Sequence, residues 1–276
     1  MTDRYAVIGN PIAHSKSPLI HKMFAEQTGQ DISYEAILAP LDGFAATIER
    51  LRKNGYKGCN VTVPFKAEAW KLPGKHSSQA IDANAANTLK FTDAEILIDN
   101  TDGAGLIRDI GHNLGVNLKG KLILLIGAGG AAYGVLHPLL ESSPSSLVIY
   151  NRSLENAIRL KNSVEEHDGF RSCFIKAVEF GRLEDDQFDV VINATSAGLT
   201  DSEIPLPATV FAPGALAYDM MYGRETPFMK FARANGAAMV SDGLGMLVEQ
   251  AAEAFFIWRG VRPDTAPVMA KLRETA

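Results

Sequence analysis

Cysteine is nearly absent: Cys59 and Cys173 are the only two in 276 residues, far apart and without metal-ligand spacing. Neither a disulfide framework nor a zinc site is suggested. A positive surplus is also missing, since 27 Lys and Arg face 32 Asp and Glu, for a net charge of -5. Nucleic-acid and membrane-surface binding need a clustered basic excess, so neither is expected, and any cation that matters must act locally. The six histidines, His14 and His21 among them, show no ligand spacing and no partnered acid. Surface or satisfied-core roles are expected for them, and no metal. The opening stretch "MTDRYAVIGNP" carries Asp3 and no long apolar run, unlike a secretory leader. A cytoplasmic compartment fits these absences.

One segment lacks charge altogether. From Leu122 to Leu140 there is no Asp, Glu, Lys or Arg, a length that raises the question of a membrane span. Gly127, Gly129, Gly130 and Pro138 interrupt it, so a buried strand, a glycine turn and a buried helix explain it better.

What is present is an ordinary globular balance, 46% apolar and 21% charged, at a length that suits two domains. Strand-like "RYAVIGNP", "SYEAILAP" and "GCNVTV" alternate with helix-like "SPLIHKMFAEQTG" and "LDGFAATIERLRKNG". That βαβαβ order implies a parallel sheet with right-handed crossovers. "ANTLKFTDAEILIDNTDG" reads as a hairpin turning at Thr92 and Asp93. Beyond it, the strands "KLILLIG", "SLVIYN", "FDVVINAT" and "GALAYDM" alternate with helices, the signature of a doubly wound sheet. The closing stretches "LGMLVEQAAEAFFIWRG" and "PDTAPVMAKLRET" are helices without strands, which should return to the first unit. The expected class is two-domain α/β: residues 1–103 with 239–276, and residues 104–238.

Several motifs carry chemistry. In "GCNVTVPFK", Cys59, Val61 and Val63 point one way while Asn60 and Thr62 point the other. Pro64 ends the strand and puts Lys66 in the first turn of a helix, where the dipole disfavours a cation. On this segment alone, a solvated strand and a surface lysine explain it as well. Ser17, just before Pro18, has the placement of an N-cap, whereas Ser15 has no such obligation. Thr101 or Asp102 can likewise cap the helix that follows. The loop Gly127-Ala128-Gly129-Gly130-Ala131 follows a buried strand and opens a helix, the context in which backbone amides meet a pyrophosphate. The next strand ends in Asn151, Arg152 and Ser153, with no acid to bind a ribose 2′-hydroxyl. An arginine there pairs with a 2′-phosphate, which favours NADP, unless it is only a solvated helix-start residue.

"GNPIAHSKSP", "NVTVPFK", "ANTL", "DNTDG", "IGAGGA", "NRS", "NATSAG", "YDMMY" and "SDGLGMLVEQAA" follow one another in this order along essentially the whole chain. Together they resemble the shikimate dehydrogenases. The resemblance implies NADP-dependent interconversion of 3-dehydroshikimate and shikimate, by an α/β substrate domain joined to a Rossmann domain, in a monomer or homodimer. It implies Lys66 and Asp102 as the catalytic pair. Ser15, Ser17 and Tyr218 fall on positions for the substrate carboxylate, and Asn60, Thr62, Asn87 and Gln250 on positions for ring hydroxyls. On the cofactor side it implies the glycine loop, Asn151, Arg152, Ser153, Thr195, and Gly243 near the nicotinamide.

The chain also departs from the family pattern. A glycine is replaced by Asn84 and a valine by Ala86 just before Asn87, and Glu155 and Asn156 stand where some relatives have a second arginine. Asparagine tolerates a left-handed backbone, so the turn at Asn84 is expected to survive. On the closing helix, Gln250 projects among Met246, Ala254 and Ile257 with Glu249 and Glu253 to one side, so a buried amide there is expected to take substrate hydroxyls as partners.

Overall fold

The strands anticipated in the first hundred residues form one face-covered sheet in the computed structural model, which describes residues 2–165, 173–184, 186–197 and 202–274. Two compact units result: Met1–Gly105 with Leu247–Thr275, and Leu106–Met246.

In the first unit β1 (Asp3–Gly9), β2 (Ile32–Leu38) and β3 (Tyr56–Val61) run parallel, joined by α1 (Ser17–Thr28) and α2 (Phe44–Lys53). Then come α3 (Lys66–Trp70), the two-residue β4 (Lys75–His76), α4 (Ser78–Ala83), and the hairpin β5 (Thr88–Phe91) and β6 (Ile96–Asp99). The strand order is β2-β1-β3-β5-β6-β4. Alternation along the strands sorts the faces: Ala6, Ile8, Cys59, Val61, Leu89 and Ile98 pack under α2 and α3 with Phe44, Ile48 and Phe65. On the other face Tyr5 packs against Ala254 and Trp258 of α9 (Leu244–Arg259). The closing helices α9 and α10 (Ala266–Glu274) thus return to this unit. Trp258 stacks on Tyr5 at 4.6 Å and donates its indole hydrogen to the Leu89 carbonyl at 3.0 Å. Glu249, read from the sequence as lying off to one side, is fully buried and held by Arg262 and the Thr265 hydroxyl.

The second unit follows α5 (Asp102–Arg108), which continues as a π-helical stretch over Asp109–Asn113. Its strands are β7 (Leu122–Ile126), β8 (Ser146–Asn151), β9 (Phe174–Glu179), β10 (Phe188–Asn193), β11 (Phe211–Asp219) and β12 (Met239–Ser241). Between them run α6 (Gly130–Glu141), α7 (Leu154–Glu165) and α8 (Pro227–Ala234). All neighbouring pairs are parallel, in the order β12-β11-β10-β7-β8-β9. Counted from β7, this is the doubly wound order of dinucleotide-binding sheets, with its switch point between β7 and β10. Both faces are covered: Ile123 and Leu125 belong to one core, Leu124 and Ile126 to the other. The charge-free run from Leu122 is therefore strand and buried helix, and no helix of the described residues is long and apolar enough to cross a membrane.

Three short strands escape the sequence reading. β4 and β12 have two and three residues, and β9 carries Lys176 amid a half-buried pattern. β12 matters most, because it pairs with β11 and so extends the second unit to Met246, beyond the boundary expected at residue 239. The helix start also differs. Ser17 is the first residue of α1, Lys16 is its N-cap, and no side chain caps it.

His21 on α1 has no exposed surface and stacks on Tyr34 at 4.1 Å, with Phe24, Phe255 and Trp258 around it. Neither ring nitrogen has a hydrogen-bond partner, so it is a core histidine that is not satisfied. Burial lowers its pKa to about 3 from 6.5, and the nearby Asn60 amide offsets only part of the shift. Below pH 6.5 the unfolded chain takes up a proton that the folded chain refuses until about pH 3, so stability is lost as the pH falls through that window. At pH 5 this one group removes about 2 kcal/mol. His21→Phe should therefore lose less stability than the parent between pH 7.5 and 5 in urea unfolding. Equal losses would show that His21 is not the group responsible.

Gly58 makes room for the returning helix. A Cβ there would sit 2.4 Å from the Leu89 carbonyl oxygen and 2.8 Å from the Trp258 indole nitrogen. Gly58→Ala should destabilise the protein by about 1–3 kcal/mol, the usual cost of overpacking, and shift Trp258 fluorescence. An unchanged melting temperature would show that α9 can back away freely.

Candidate active site

Lys66 is the first residue of α3, and Asp102 is the first of α5. The Lys66 ammonium donates to Asp102 Oδ2 at 2.6 Å, with the lysine side chain 31% and the aspartate 11% exposed. The lysine is thus paired, not a free surface cation. Asp102 was a candidate helix cap, but it is the first helical residue itself, and Asn100 Oδ1 accepts its amide at 3.0 Å in the turn before the helix. The Asp102 carboxylate is left for Lys66 and for Asn87, whose amide donates to Oδ1 at 2.9 Å.

Asn87 is 2% exposed, and every bond its side chain can make is made. Its two amide hydrogens serve Asp102 and Gln250, and its oxygen takes the Thr101 amide at 2.9 Å together with the Thr101 and Thr88 hydroxyls. The loop that carries it turns at Asn84, left-handed with φ 47°, as the substitution of asparagine for glycine requires. Ala86, where the family has valine, is fully buried and donates its backbone amide to the Lys66 carbonyl.

Asn60 is buried behind this loop. Its amide hydrogens go to the Asn87 carbonyl and the Thr88 hydroxyl, both at 3.1 Å, and its oxygen accepts the Tyr34 phenol at 2.8 Å. Only the second lone pair of that oxygen remains for a ligand. Thr62, just past β3, is half-buried, and its hydroxyl makes no hydrogen bond among the described residues. Gln250 is half-buried rather than enclosed, and the protein itself supplies partners. Its oxygen takes the Asn87 amide at 3.3 Å, with the Thr101 hydroxyl, whose one hydrogen goes to the nearer Asn87, 3.4 Å away, and its amide gives one hydrogen to the Leu247 carbonyl at 2.9 Å. One amide hydrogen stays free.

Ser15 and Ser17 stand at the start of α1, Ser15 half-buried and accepting the Ser17 amide at 3.3 Å. Tyr218 requires correction. It is fully enclosed in the second unit, and its hydroxyl donates to the buried Asp109 carboxylate at 2.7 Å. Burial, then the Asp109 charge, hold its pKa well above that of a free phenol. A side chain with no surface and a committed hydroxyl cannot hold a substrate carboxylate. Tyr222, the other tyrosine of "YDMMY", is half-buried with no hydrogen bond to its hydroxyl among the described residues. Sequence reasoning also missed Asn100, Thr101 and Tyr34 as supports. For Asn100 the signal was available, since an Asn side chain readily accepts the backbone amide two residues on in a turn.

In the second unit Gly127 leaves β7 at φ +109°, its Cα packed on Ala194 and Thr195 at the end of β10. This is the switch point of the sheet. Cβ atoms added at Gly129 and Gly130 would meet nothing within 4 Å, and no side chain caps α6. The first amides of a 12-residue helix therefore face open space, as a pyrophosphate would need. Ala128 is half-buried, and Ala131 is exposed on the first turn. Arg152 is exposed and makes no hydrogen bond or ion pair among the described residues, between Asn151, which donates to the Ser153 carbonyl, and Ser153, whose hydroxyl accepts the Asn156 amide. Thr195 is fixed by Asn193, which in turn donates to the buried Asp219. Gly243 donates its amide to the Met221 carbonyl at 2.8 Å. Gly198, the end of "NATSAG", lies outside the described residues. The residues present fit a dinucleotide with an added phosphate. Among the described residues no group of three or more His, Cys, Asp or Glu could hold a metal ion.

Three family models match the chain in succession: a shikimate dehydrogenase substrate binding domain over residues 7–89, shikimate / quinate 5-dehydrogenase over 109–200, and a shikimate 5′-dehydrogenase C-terminal domain over 243–273. A shikimate dehydrogenase (NADP(+)) from Methylobacillus flagellatus is 60% identical over 271 residues, covering 98% of this chain and 99% of that protein. Its counterpart from Dechloromonas aromatica is 56% identical over 274 residues, 99% and 98% of the two chains. An Ael1 enzyme from Pseudomonas putida superposes with a TM-score of 0.92 at 48% identity, covering 98% of each chain. The shikimate 5-dehydrogenase of Thermus thermophilus, solved with NADP(H) and shikimate, does so with a TM-score of 0.87 at 31% identity over 100% of both chains. Sheet order, motif order and relatives matched end to end agree, and the chain belongs to the shikimate dehydrogenase family.

Proposed function

We propose that the Lys66–Asp102 pair and the polar groups around it carry out this chain's activity, the NADP-dependent, reversible reduction of 3-dehydroshikimate to shikimate. The observation that carries this reading is the 2.6 Å contact between Lys66 and Asp102, set by Asn87 and left half-open. NADP, when bound, supplies or accepts the hydride. Lys66 stabilises negative charge on the reacting oxygen as it develops and hands it a proton. Asp102 accepts a hydrogen bond from the same hydroxyl and aims the lysine. Ser15 and Ser17 take the carboxylate. Thr62 contributes its free hydroxyl, Asn60 its remaining lone pair and Gln250 its spare amide hydrogen to the ring hydroxyls, while Asn87 serves by exchanging its Gln250 bond for one to substrate.

On the cofactor side the uncapped start of α6, with Gly127, Ala128, Gly129, Gly130 and Ala131, takes the pyrophosphate, and Asn151, Arg152 and Ser153 take the 2′-phosphate. Thr195 and Gly243 complete that site. With both cysteines free, a cytoplasmic monomer or homodimer is the form we assign. Quinate is the rival substrate, since it differs only in ring substituents. Assays of shikimate and quinate, each with NAD and NADP, decide between them, and a preference for quinate would overturn the shikimate reading.

Lys66→Ala should lower kcat by about 10²- to 10⁴-fold, the range for a positioned acid or base, with a smaller rise in KM for shikimate. Cofactor affinity should hold. Steady-state kinetics and a cofactor titration on protein folded by circular dichroism provide the check, and near-parental kcat would remove Lys66 from the chemistry. Arg152→Ala should weaken NADP about ten- to a hundredfold, with little change for NAD, because only NADP offers a phosphate to lose. Equal losses for both would mean that Arg152 is structural.

A further inference from the structure

We propose that Tyr34 is a positioning residue of the substrate site, its hydroxyl fixing the Asn60 amide and, through it, Asn87 and the Asp102–Lys66 pair. Tyr34 stands on β2, the edge strand of its sheet, where nothing in the backbone asks for a phenol. Its ring lies parallel to that of His21, with an interplanar angle of 10°, and 6.2 Å from Trp258. Its hydroxyl donates to Asn60 Oδ1 at 2.8 Å. Burial raises the phenol pKa well above 10, so the oxygen keeps the hydrogen it donates.

The direction of the bonds gives this contact its reach. A side-chain amide has two orientations; the Asn87 carbonyl, which only accepts, requires the one that aims the Asn60 hydrogens at it, and the Tyr34 phenol donates to the oxygen on the other side and holds it there. Both Asn60 hydrogens then point to the Asn87 carbonyl and to Thr88 Oγ1. Thr88, having accepted, donates its own hydrogen to Asn87 Oδ1 at 2.9 Å. With its oxygen so occupied, Asn87 presents its hydrogens to Asp102 Oδ1 and Gln250. Reversing Asn60 would set its oxygen against the Asn87 carbonyl oxygen and undo the sequence. Tyr34 is thus the first donor in a one-way chain that ends on the carboxylate paired with Lys66.

The inference rests on the site assignment above, and the test keeps the two apart. Tyr34→Phe retains the ring and removes the donor. It should lower kcat about two- to tenfold and raise KM for shikimate, with KM for NADP unchanged. A merely structural loss would lower the melting temperature and leave the kinetics of the folded enzyme alone. The decisive reading is a double-mutant cycle with Asn60→Ala: because Tyr34 acts through Asn60, the double variant should be no slower than Asn60→Ala. Additive losses, or unchanged kcat and KM in Tyr34→Phe, overturn the proposal. Should Tyr34→Phe not fold, Asn60→Ala cuts the same link from its other end, and unchanged kcat there overturns it. Lys66→Ala is read alongside. If it stays active, the site assignment falls; if it is inactive while Tyr34→Phe matches the parent, only the role of Tyr34 falls.

Discussion

A buried primary amide must find partners for two hydrogens and an oxygen, and the first unit is arranged around one that does, Asn87. Its partners come from β5, from the turn into α5 and from α9, segments far apart in sequence. None of those contacts forms unless the loop before β5 reverses at Asn84, and α9 reaches it only because Gly58 lets Trp258 lie on the sheet. The backbone turn, the returning helix and the polar centre are therefore one arrangement. Losing a partner would strand a polar atom in the interior, a larger penalty than the net worth of the bond itself.

Neutral groups hold the charged pair, and that choice has a physical basis. The Lys66 side chain is 31% exposed and Asp102 is buried, so their attraction is offset by the cost of taking the carboxylate out of water. More charges packed around them would bring a desolvation penalty and compete for the same carboxylate. One neutral amide, that of Asn87, instead fixes Asp102 Oδ1 and leaves Oδ2 for Lys66. Asn100 accepts the Asp102 amide in the turn before α5 and so anchors the backbone that carries the carboxylate. Geometry, more than binding strength, is what the surrounding residues supply.

Much of this was legible in the sequence. Alternation in β1 and β3, the glycine turn after β7, and the helical close of the chain all carry local signals strong enough to survive folding. Asn60 also fell on the side of β3 away from Cys59 and Val61, as the pleat demands, while Thr62 lies just past the strand. What escaped has a common cause: it depends on neighbours distant in the chain. β12 is three residues whose strand character comes from pairing with β11. Glu249 was placed off the apolar stripe because the helix pattern cannot show Arg262 and Thr265 arriving to receive it. Ser17 looked like a cap because serine before proline usually is one, whereas here Lys16 holds that place and Ser17 is the first helical residue.

The two tyrosines of "YDMMY" draw the distinction most sharply. A motif names residue types at fixed spacing but not which of their hydrogen-bonding groups the fold has already used. Tyr218, within β11, points into the core and spends its hydroxyl on Asp109; Tyr222, just beyond the strand, keeps its own free among the described residues. The same test separates other positions. Thr62, Arg152 and the first turn of α6 hold donors that the described structure leaves unused, while Asn87 and Asp219 are committed internally. Since a ligand competes with existing partners for each donor and acceptor, unused capacity at the surface of a rigid frame marks where binding costs least. Within each unit those positions lie at the carboxyl ends of its own sheet's strands, Thr62 after β3 in the first and the glycine turn and Arg152 after β7 and β8 in the second, where ligands bind in parallel sheets.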